Sequence, residues 1–392
     1  MKKPSQLKAS YKPIESRFDF WLLVAAIALV GFGVVMVASA SMPRGALRGD
    51  EFRYVDRHLI AVLMGVMGAV FVYFTPVEWW KRYSTHLYIL GLLLLAIVFI
   101  PGLGVSKNGA TRWVILGPIS LQTSEFMKLF VVLFLAGYLV RRQLEVAHTV
   151  WGVAKPFIVL VVACIFLMLQ PDLGTTVLLL AVALGLLFLA GAPLWQFGAL
   201  LALAAAAVSV ILWTSPWRLE RVKAFLNPWD HAQDSGWQLT QALIAFGRGE
   251  WTGVGLGNGI QKQFHLPEAH TDFVMAVIGE ELGLVGTLTI VALFGVLVWR
   301  ALSMGATAEK LGKRFEAYVA YGLGIWLGLQ AFINIGVNMG LMPTKGFTLP
   351  FISYGSNSLI VSCVAIGMLS RIYRDNQLDP GSRPKGAAWQ RA

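Results

Sequence analysis

Ten mostly apolar stretches recur along the chain, at 20–39, 59–74, 85–100, 124–140, 151–170, 173–190, 197–213, 273–299, 318–342 and 352–370. Most approach the roughly 20 residues a helix needs to cross a bilayer. The fifth has the shortest wholly apolar part, 157–169, and the sixth and seventh are joined only by 191–196, a tight helical hairpin around Pro193. Between the seventh and eighth runs a polar stretch, 214–271, of a length that is usually functional or disordered. Its composition is not that of disorder. Segments 218–226 and 237–246 read as short amphipathic helices, the first stopped by Asn227-Pro228 and the second by Gly247. They are expected to lie at the outer interface, with Trp217, Trp229, Trp237 and Trp251 as anchors.

The pattern predicts an all-α integral membrane protein, a bundle of about ten transmembrane helices with one large periplasmic loop at 214–271. A tail at 1–19, a polytopic membrane domain at 20–371 and a second tail at 372–392 complete the expected organisation. No internal repeat is evident, which counts against transporters built from inverted halves.

Composition supports this reading. Charged residues are 14% of the chain, against about 25% in a soluble domain, too little polar surface to dissolve. The net charge of +11 resides in short loops between apolar runs, the distribution that insertion and anionic lipids select. No basic stripe or aromatic stacking platform supports nucleic-acid binding. With ten spans both termini share one side, and the short loops and tails of that side, with Lys155 at the start of the fifth stretch, hold nineteen Lys and Arg against seven opposite. The termini are therefore expected in the cytoplasm. The basic N-terminal segment leads into a full-length apolar run, so the first helix is expected to stay in the membrane. Cys164 and Cys363 both fall inside apolar runs and read as packed hydrophobes.

Charges at the lip of a span cost several kcal/mol near the bilayer centre, so they mark candidate chemistry. Arg112 lies in the third loop, Glu125 and Lys128 open the fourth span, Asp172 follows the fifth, Asp272 opens the eighth and Lys345 joins the ninth to the tenth. On this topology all face one leaflet, as a site acting on something presented there would require; a conducted ion needs groups strung across the midplane. Asp272, beside Phe273 and Val274, can have a raised pKa and serve as general base, or can be a helix N-terminal acid. His265, Glu268 and His270 precede it without zinc spacing. A hard cation, Mg²⁺ or Mn²⁺, shared between Asp272 and substrate phosphates is the more plausible metal. Glu125 and Lys128 are spaced to neutralise one another or to bind substrate. Arg112 and Lys345, without acidic neighbours, are of the phosphate-binding type. Glu280 and Glu281 point about 100° apart and cannot both face one cavity. Gln330, Asn334 and Asn338 form a stripe at helical spacing that reads as interhelical hydrogen bonding. Segment 253–259, GVGLGNG, follows no strand of a βαβ unit, so no nucleotide cofactor is expected.

GATRWVILG with QTSEFMK, QPDLGTT, LPEAHTDFVMAVIGEELG and LMPTKGFTLPFISYGSNS resemble the successive signatures of the SEDS family, from the first span to the last. Lys345 in MPTKG points to the division-specific branch. The resemblance implies a ten-helix polymerase joining lipid II units into glycan strands outside the inner membrane, at the septum. It implies a catalytic role for Asp272 and substrate binding by Arg112, Glu125, Lys128 and Lys345, with Ser353, Ser356, His265, Glu268 and His270 in the surrounding motifs. It also implies a class B penicillin-binding transpeptidase (FtsI), the FtsQ/FtsL/FtsB division complex and FtsN as partners, beside membrane lipids. The chain departs from the pattern at Thr123, where the family usually has proline, and at Ser356, where it usually has glycine.

A sugar hydroxyl must then displace a pyrophosphate, with Asp272 as base and Arg112, Lys128, Lys345 and a divalent ion stabilising the departing charge. A single displacement would invert the anomeric carbon. A lipid flippase and a non-catalytic scaffold are the alternatives; one-sided charge argues against the first, and the second predicts that Asp272→Asn leaves division intact.

Overall fold

The computed structural model describes residues 17–107, 110–116 and 119–378; most of the two expected tails lies outside them. The membrane-spanning helices are α1 (Phe20–Ala46), α2 (Arg53–Phe74), α3 (Val77–Ile97), α4 (Thr123–Arg141), α6 (Val150–Leu169), α7 (Leu173–Leu189), α8 (Leu194–Trp213), α11 (Val274–Lys310), α12 (Arg314–Asn338) and α13 (Ser356–Leu378). Between them lie the short helix α5 (Gln143–His148) and the loop helices α9 (Pro216–Leu226) and α10 (Trp237–Gly249). Eight of the described helices are long and apolar enough to span by composition alone. The other two, α3 and α7, occupy expected spans: α3 opens on the charged Glu78, Lys81 and Arg82, and α7 is apolar but has 17 residues. The helices overrun the apolar stretches because the last turns are polar: α1 continues to Ala46, α11 to Lys310 and α13 to Leu378.

The middle of the bundle is α4, whose apolar window is 83% buried, while that of α8 is 6% buried and faces outward. The principal packed pairs are α2 with α13, α11 with α12, α3 with α4 and α1 with α11.

Two features differ from the helical reading. The third loop forms a three-stranded antiparallel sheet, β1 (Gly104–Lys107), β2 (Ala110–Leu116) and β3 (Ile119–Gln122), in which Trp113 pairs with Gln122. Strands this short give little periodic signal, and the sheet carries Arg112 to the mouth of the bundle. The second is a break in α11 at Gly283, where φ is +65°, a conformation glycine adopts at little cost. The backbone groups freed there are satisfied by the segment after α10. Val254 and Gly255 N–H donate to the carbonyls of Glu280 and Glu281, at 3.0 and 3.1 Å, while Leu284 and Val285 N–H donate to those of Glu250 and Trp251, at 2.9 and 3.1 Å. Irregular backbone at membrane depth persists only when it is paired in this way. The glycine-rich GVGLGNG thus seals a broken helix.

The expected loop helices form, but they do not merely float on the interface. Leu239, Ala242 and Ala245 of α10 are buried, and α10 packs against α11. Trp217, Trp229 and Trp251 are exposed as anchors should be. Trp237 instead donates its Nε1 hydrogen to the carbonyl of His265 at 2.9 Å, tying α10 to the turn at 261–265.

Candidate active site

Asp272 sits in the last residues before α11, half-buried, and its backbone is clamped from α12. Asn334 Nδ2 and Asn338 Nδ2 both donate to its carbonyl at 2.9 Å. Asn338 Oδ1 accepts from Ala276 N–H at 3.1 Å, and Asn334 Nδ2 also reaches the carbonyl of Phe347 at 2.5 Å. The polar stripe of α12 therefore fixes the start of α11 and the loop after Lys345 against one another. At Gly346 that loop comes so close that a Cβ would stand 2.9 Å from Asp272 Oδ2.

Electrostatics separate this carboxyl from an ordinary surface acid. Burial, reinforced by Glu268, pushes its pKa up to about 7, against the pull of Arg112 and Arg221. Arg112, on β2, is aimed by two carbonyls of the QPD turn: Nε donates to Gln170 at 3.0 Å and Nη2 to Pro171 at 2.5 Å. In the same turn Asp172 caps α7, accepting from Thr175 N–H at 3.3 Å and from its hydroxyl at 2.9 Å. Lys345 is half-buried, and burial brings it down to about 8, with Arg221, Arg218 and Arg112 adding to the effect and Asp172 opposing it.

Sequence reasoning missed Arg218 and Arg221, which it left on the polar face of α9. Their i, i+3 spacing was the available signal, since it puts both on one side of the helix. Both guanidiniums lie over the Trp217 ring, at 4.8 and 5.4 Å. Arg218 is 8% exposed, and its Nη1 donates to Ser215 Oγ at 3.1 Å. Arg112 and Arg221 thus bear on Asp272, and the same two with Arg218 bear on Lys345.

Just before Asp272 in the chain, aromatic rings cluster about an imidazole. His270 packs on Tyr54 and Tyr354, with ring centroids 5.1 and 5.5 Å apart. Burial, with Arg44 and Arg48, brings it down to about 4 against the opposing pull of Glu268, so it is neutral at physiological pH. Glu268 holds φ at +54° and accepts from the Thr271 hydroxyl at 2.8 Å; its other oxygen lies 3.7 Å from Arg44.

The remaining expected residues lie elsewhere. His265 is exposed. Ser353 is buried, and its Oγ accepts from Leu349 N–H at 2.7 Å, closing the turn before α13. Ser356, half-buried, begins α13. Glu125 and Lys128 form a buried pair at 2.8 Å, and Lys128 also donates to Gln330 at 2.8 Å. Gln330 in turn donates to the Thr348 carbonyl at 3.0 Å. This pair reaches the site loop through Gln330.

A half-buried carboxyl that titrates near neutrality beside convergent cations can remove a proton while negative charge develops close by. The family model described as cell cycle protein, covering FtsW, RodA and SpoVE, matches residues 20–378. The chain belongs to that family. It is 53% identical over 355 residues to a probable peptidoglycan glycosyltransferase FtsW of Allochromatium vinosum, covering 90% of this chain and 89% of the relative. With the probable peptidoglycan glycosyltransferase FtsW of Coxiella burnetii it shares 47% over 373 residues, 95% and 98% of the two chains. Among solved structures it resembles a chain from work on polymerization and crosslinking by a peptidoglycan synthase complex, with a TM-score of 0.75 and 28% identity over 92% of this chain and 98% of that one. The rod shape determining protein RodA of Thermus thermophilus matches with a TM-score of 0.67 and 27% identity, covering 92% and 97%. Both are multi-span members of the fold to which this FtsW/RodA/SpoVE chain belongs.

Proposed function

We propose that this FtsW/RodA/SpoVE family member is a peptidoglycan glycosyltransferase of cell division that polymerises lipid II on the outer face of the inner membrane. The observation that carries the reading is Asp272, lifted to about 7 and lying beside Arg112 and Arg221. The acceptor sugar hydroxyl gives its proton to the Asp272 carboxylate as its oxygen bonds to the donor's anomeric carbon. The bond from that carbon to the pyrophosphate oxygen breaks, and the pyrophosphate leaves with the electron pair. Arg112, Arg221 and Lys345 are the side chains that receive the developing charge. One displacement inverts the anomeric carbon.

No group of three or more His, Cys, Asp or Glu among the described residues could hold a metal by itself. Asp272 and Glu268, which bear on one another, fit the one or two carboxylates that Mg²⁺ takes together with substrate phosphates. Such an ion, Mg²⁺ or Mn²⁺, would supply neutralisation of the pyrophosphate. The partner in this reading is a class B transpeptidase within the septal division complex, and both termini are cytoplasmic, as the excess of Lys and Arg on their side supports.

The experiment is polymerisation of labelled lipid II by the purified protein with its transpeptidase partner. Glycan strands are expected from wild type and none from Asp272→Asn at equal protein level. Strands of normal length from Asp272→Asn would overturn the assignment.

A further inference from the structure

A polymerase of this kind handles two lipid-linked pyrophosphates at once. The donor's pyrophosphate is bonded to the reacting carbon itself, so its cations must stand next to the base. The acceptor's reacting hydroxyl is on the outer sugar, a disaccharide away from its own pyrophosphate. A second cationic cluster is therefore required, set back from Asp272 and joined to it by a surface suited to sugars.

The corner between α1 and α2 has this arrangement. It carries Arg44, Arg48, Arg53 and Arg57, the first half-buried and the other three exposed. Arg44 and Arg48 bear on His270, whereas the charges bearing on Asp272 are Glu268, Arg112 and Arg221. Arg57 and Arg53 bear on the Tyr354 phenol. The corner also holds Asp50, Glu51 and Asp56, all exposed; Asp50 accepts from Phe52 N–H at 3.2 Å before α2. Glu268 is the acid that reaches Arg44.

Between these arginines and Asp272 lie the rings of Tyr54, His270 and Tyr354. Tyr54 and Tyr354 meet edge to face at 5.3 Å, and Tyr354 N–H donates to the His270 carbonyl at 2.9 Å, locking the tail of the HTD motif to the approach to α13. Two imidazoles there are buried and incompletely bonded. His58, 1% exposed, has neither ring nitrogen partnered among the described residues, and His270, 4% exposed, lacks a partner at Nδ1. Buried polar atoms are rarely left so without a ligand or water in prospect. Imidazole nitrogens and phenol hydroxyls donate to and accept from hydroxyls, and of these rings Tyr354 is the half-buried one, backed by the buried Tyr54 and His270.

We propose that this corner is the acceptor subsite. Its arginines hold the pyrophosphate of the incoming lipid-linked disaccharide, and the sugars pass Tyr354, whose ring is backed by the buried Tyr54 and His270, with the outer hydroxyl at Asp272. The inference rests on the glycosyltransferase reading above and divides that site: the cations of β2, α9 and Lys345 serve the donor, the α1–α2 arginines the acceptor.

The test uses the full-length protein with its transpeptidase partner in vesicles and two substrate analogues. A lipid-linked disaccharide with its acceptor hydroxyl blocked can only donate; one with a methylene in place of the anomeric oxygen can only accept. In Arg48→Gln/Arg53→Gln the KM for the accept-only analogue is expected to rise about tenfold or more, with the donor KM within about twofold of wild type. Arg112→Gln is expected to show the opposite split. Arg48→Lys/Arg53→Lys should recover part of the acceptor affinity, which a folding defect would not allow. An unchanged acceptor KM, or an equal rise for both analogues, overturns the proposal. Arginines at a bilayer surface can also hold phospholipid phosphates, so the assay is repeated in vesicles without anionic phospholipid. A KM difference that vanishes there assigns the corner to headgroups and likewise overturns the proposal. Asp272→Asn is read separately. Transfer surviving in that variant would overturn the parent reading, whereas loss there with an unchanged acceptor KM in the arginine variant would overturn the subsite alone.

Discussion

Asp272 and Glu281 lie nine residues apart, the first just before the broken helix α11 and the second inside it, and they have opposite surroundings. Glu281 is fully buried and closed: Lys262 Nζ stands 2.6 Å from it, and Ser39 donates to both its oxygens at 2.8 and 2.7 Å. Its neighbour Glu280 accepts from Ile260 N–H at 2.9 Å and Gln261 N–H at 3.1 Å. Against the expectation that the two glutamates could not face one place, both carboxylates converge on segment 259–262, where a Cβ at Gly259 would stand 2.9 Å from Glu280 Oε2 and 3.0 Å from Glu281 Oε1. Asp272 is pushed up to about 7 by burial and Glu268 against the pull of Arg112 and Arg221. A carboxylate matched to one lysine holds structure together. One poised between opposed charges can change protonation state during a reaction.

The difference can be broken from either end. Asp272→Asn is expected to lower glycan transfer by about 10²–10⁴-fold, the contribution of a positioned base, without changing thermal stability in detergent. Glu281→Gln should do the reverse, since it leaves Lys262 buried without its counter-charge. Removing one partner of a buried pair costs about 3–5 kcal/mol, so a lowered Tm is expected, with Lys262→Met/Glu281→Leu regaining much of it. A Tm unchanged in Glu281→Gln would make the two acids equivalent.

Lys345→Gln sharpens the comparison on the catalytic side. If this lysine only snorkels to anchor the end of α12, glutamine and arginine should both serve. As a pyrophosphate ligand its loss should lower the rate at saturating lipid II by about 10²–10³-fold, and arginine should restore only part. Wild-type turnover of Lys345→Gln would leave the anchor reading standing. A smaller effect belongs to Asn338→Ala, which removes one of two donors to the Asp272 carbonyl. About 1 kcal/mol is expected for one such bond, read as a fall in kcat with little change in KM.

The ten spans and the two loop helices were legible because apolar length and amphipathic spacing are local properties. Asp272, Arg112 and Lys345 stood out as charges at the lips of spans. What escaped depended on contacts distant in sequence. EELGLVG at 280–286 continues an apolar run and gives no hint of a break, because the groups that satisfy it come from 250–255. The Gln330, Asn334 and Asn338 stripe was visible, but its partners, the carbonyls of Asp272 and Phe347 and the buried Lys128, were not. Arg218 and Arg221 read as an interfacial polar face, although Arg221 bears on Asp272 and both bear on Lys345. Trp237 read as a lipid anchor, although it is tied to His265.

The central claim is that Asp272 acts as the base. Its carboxylate is the active form, so activity must fall as pH drops through its pKa and must not depend on substrate affinity. The decisive measurement is the pH dependence of transfer at saturating lipid II and fixed divalent ion, under conditions where chemistry limits the rate. The expected profile is flat above about 8 and falls tenfold per unit at lower pH, from an apparent pKa near 7 for the ion-free carboxyl that a divalent ion on Asp272 brings down. A rate that stays level down to pH 5 would contradict the account.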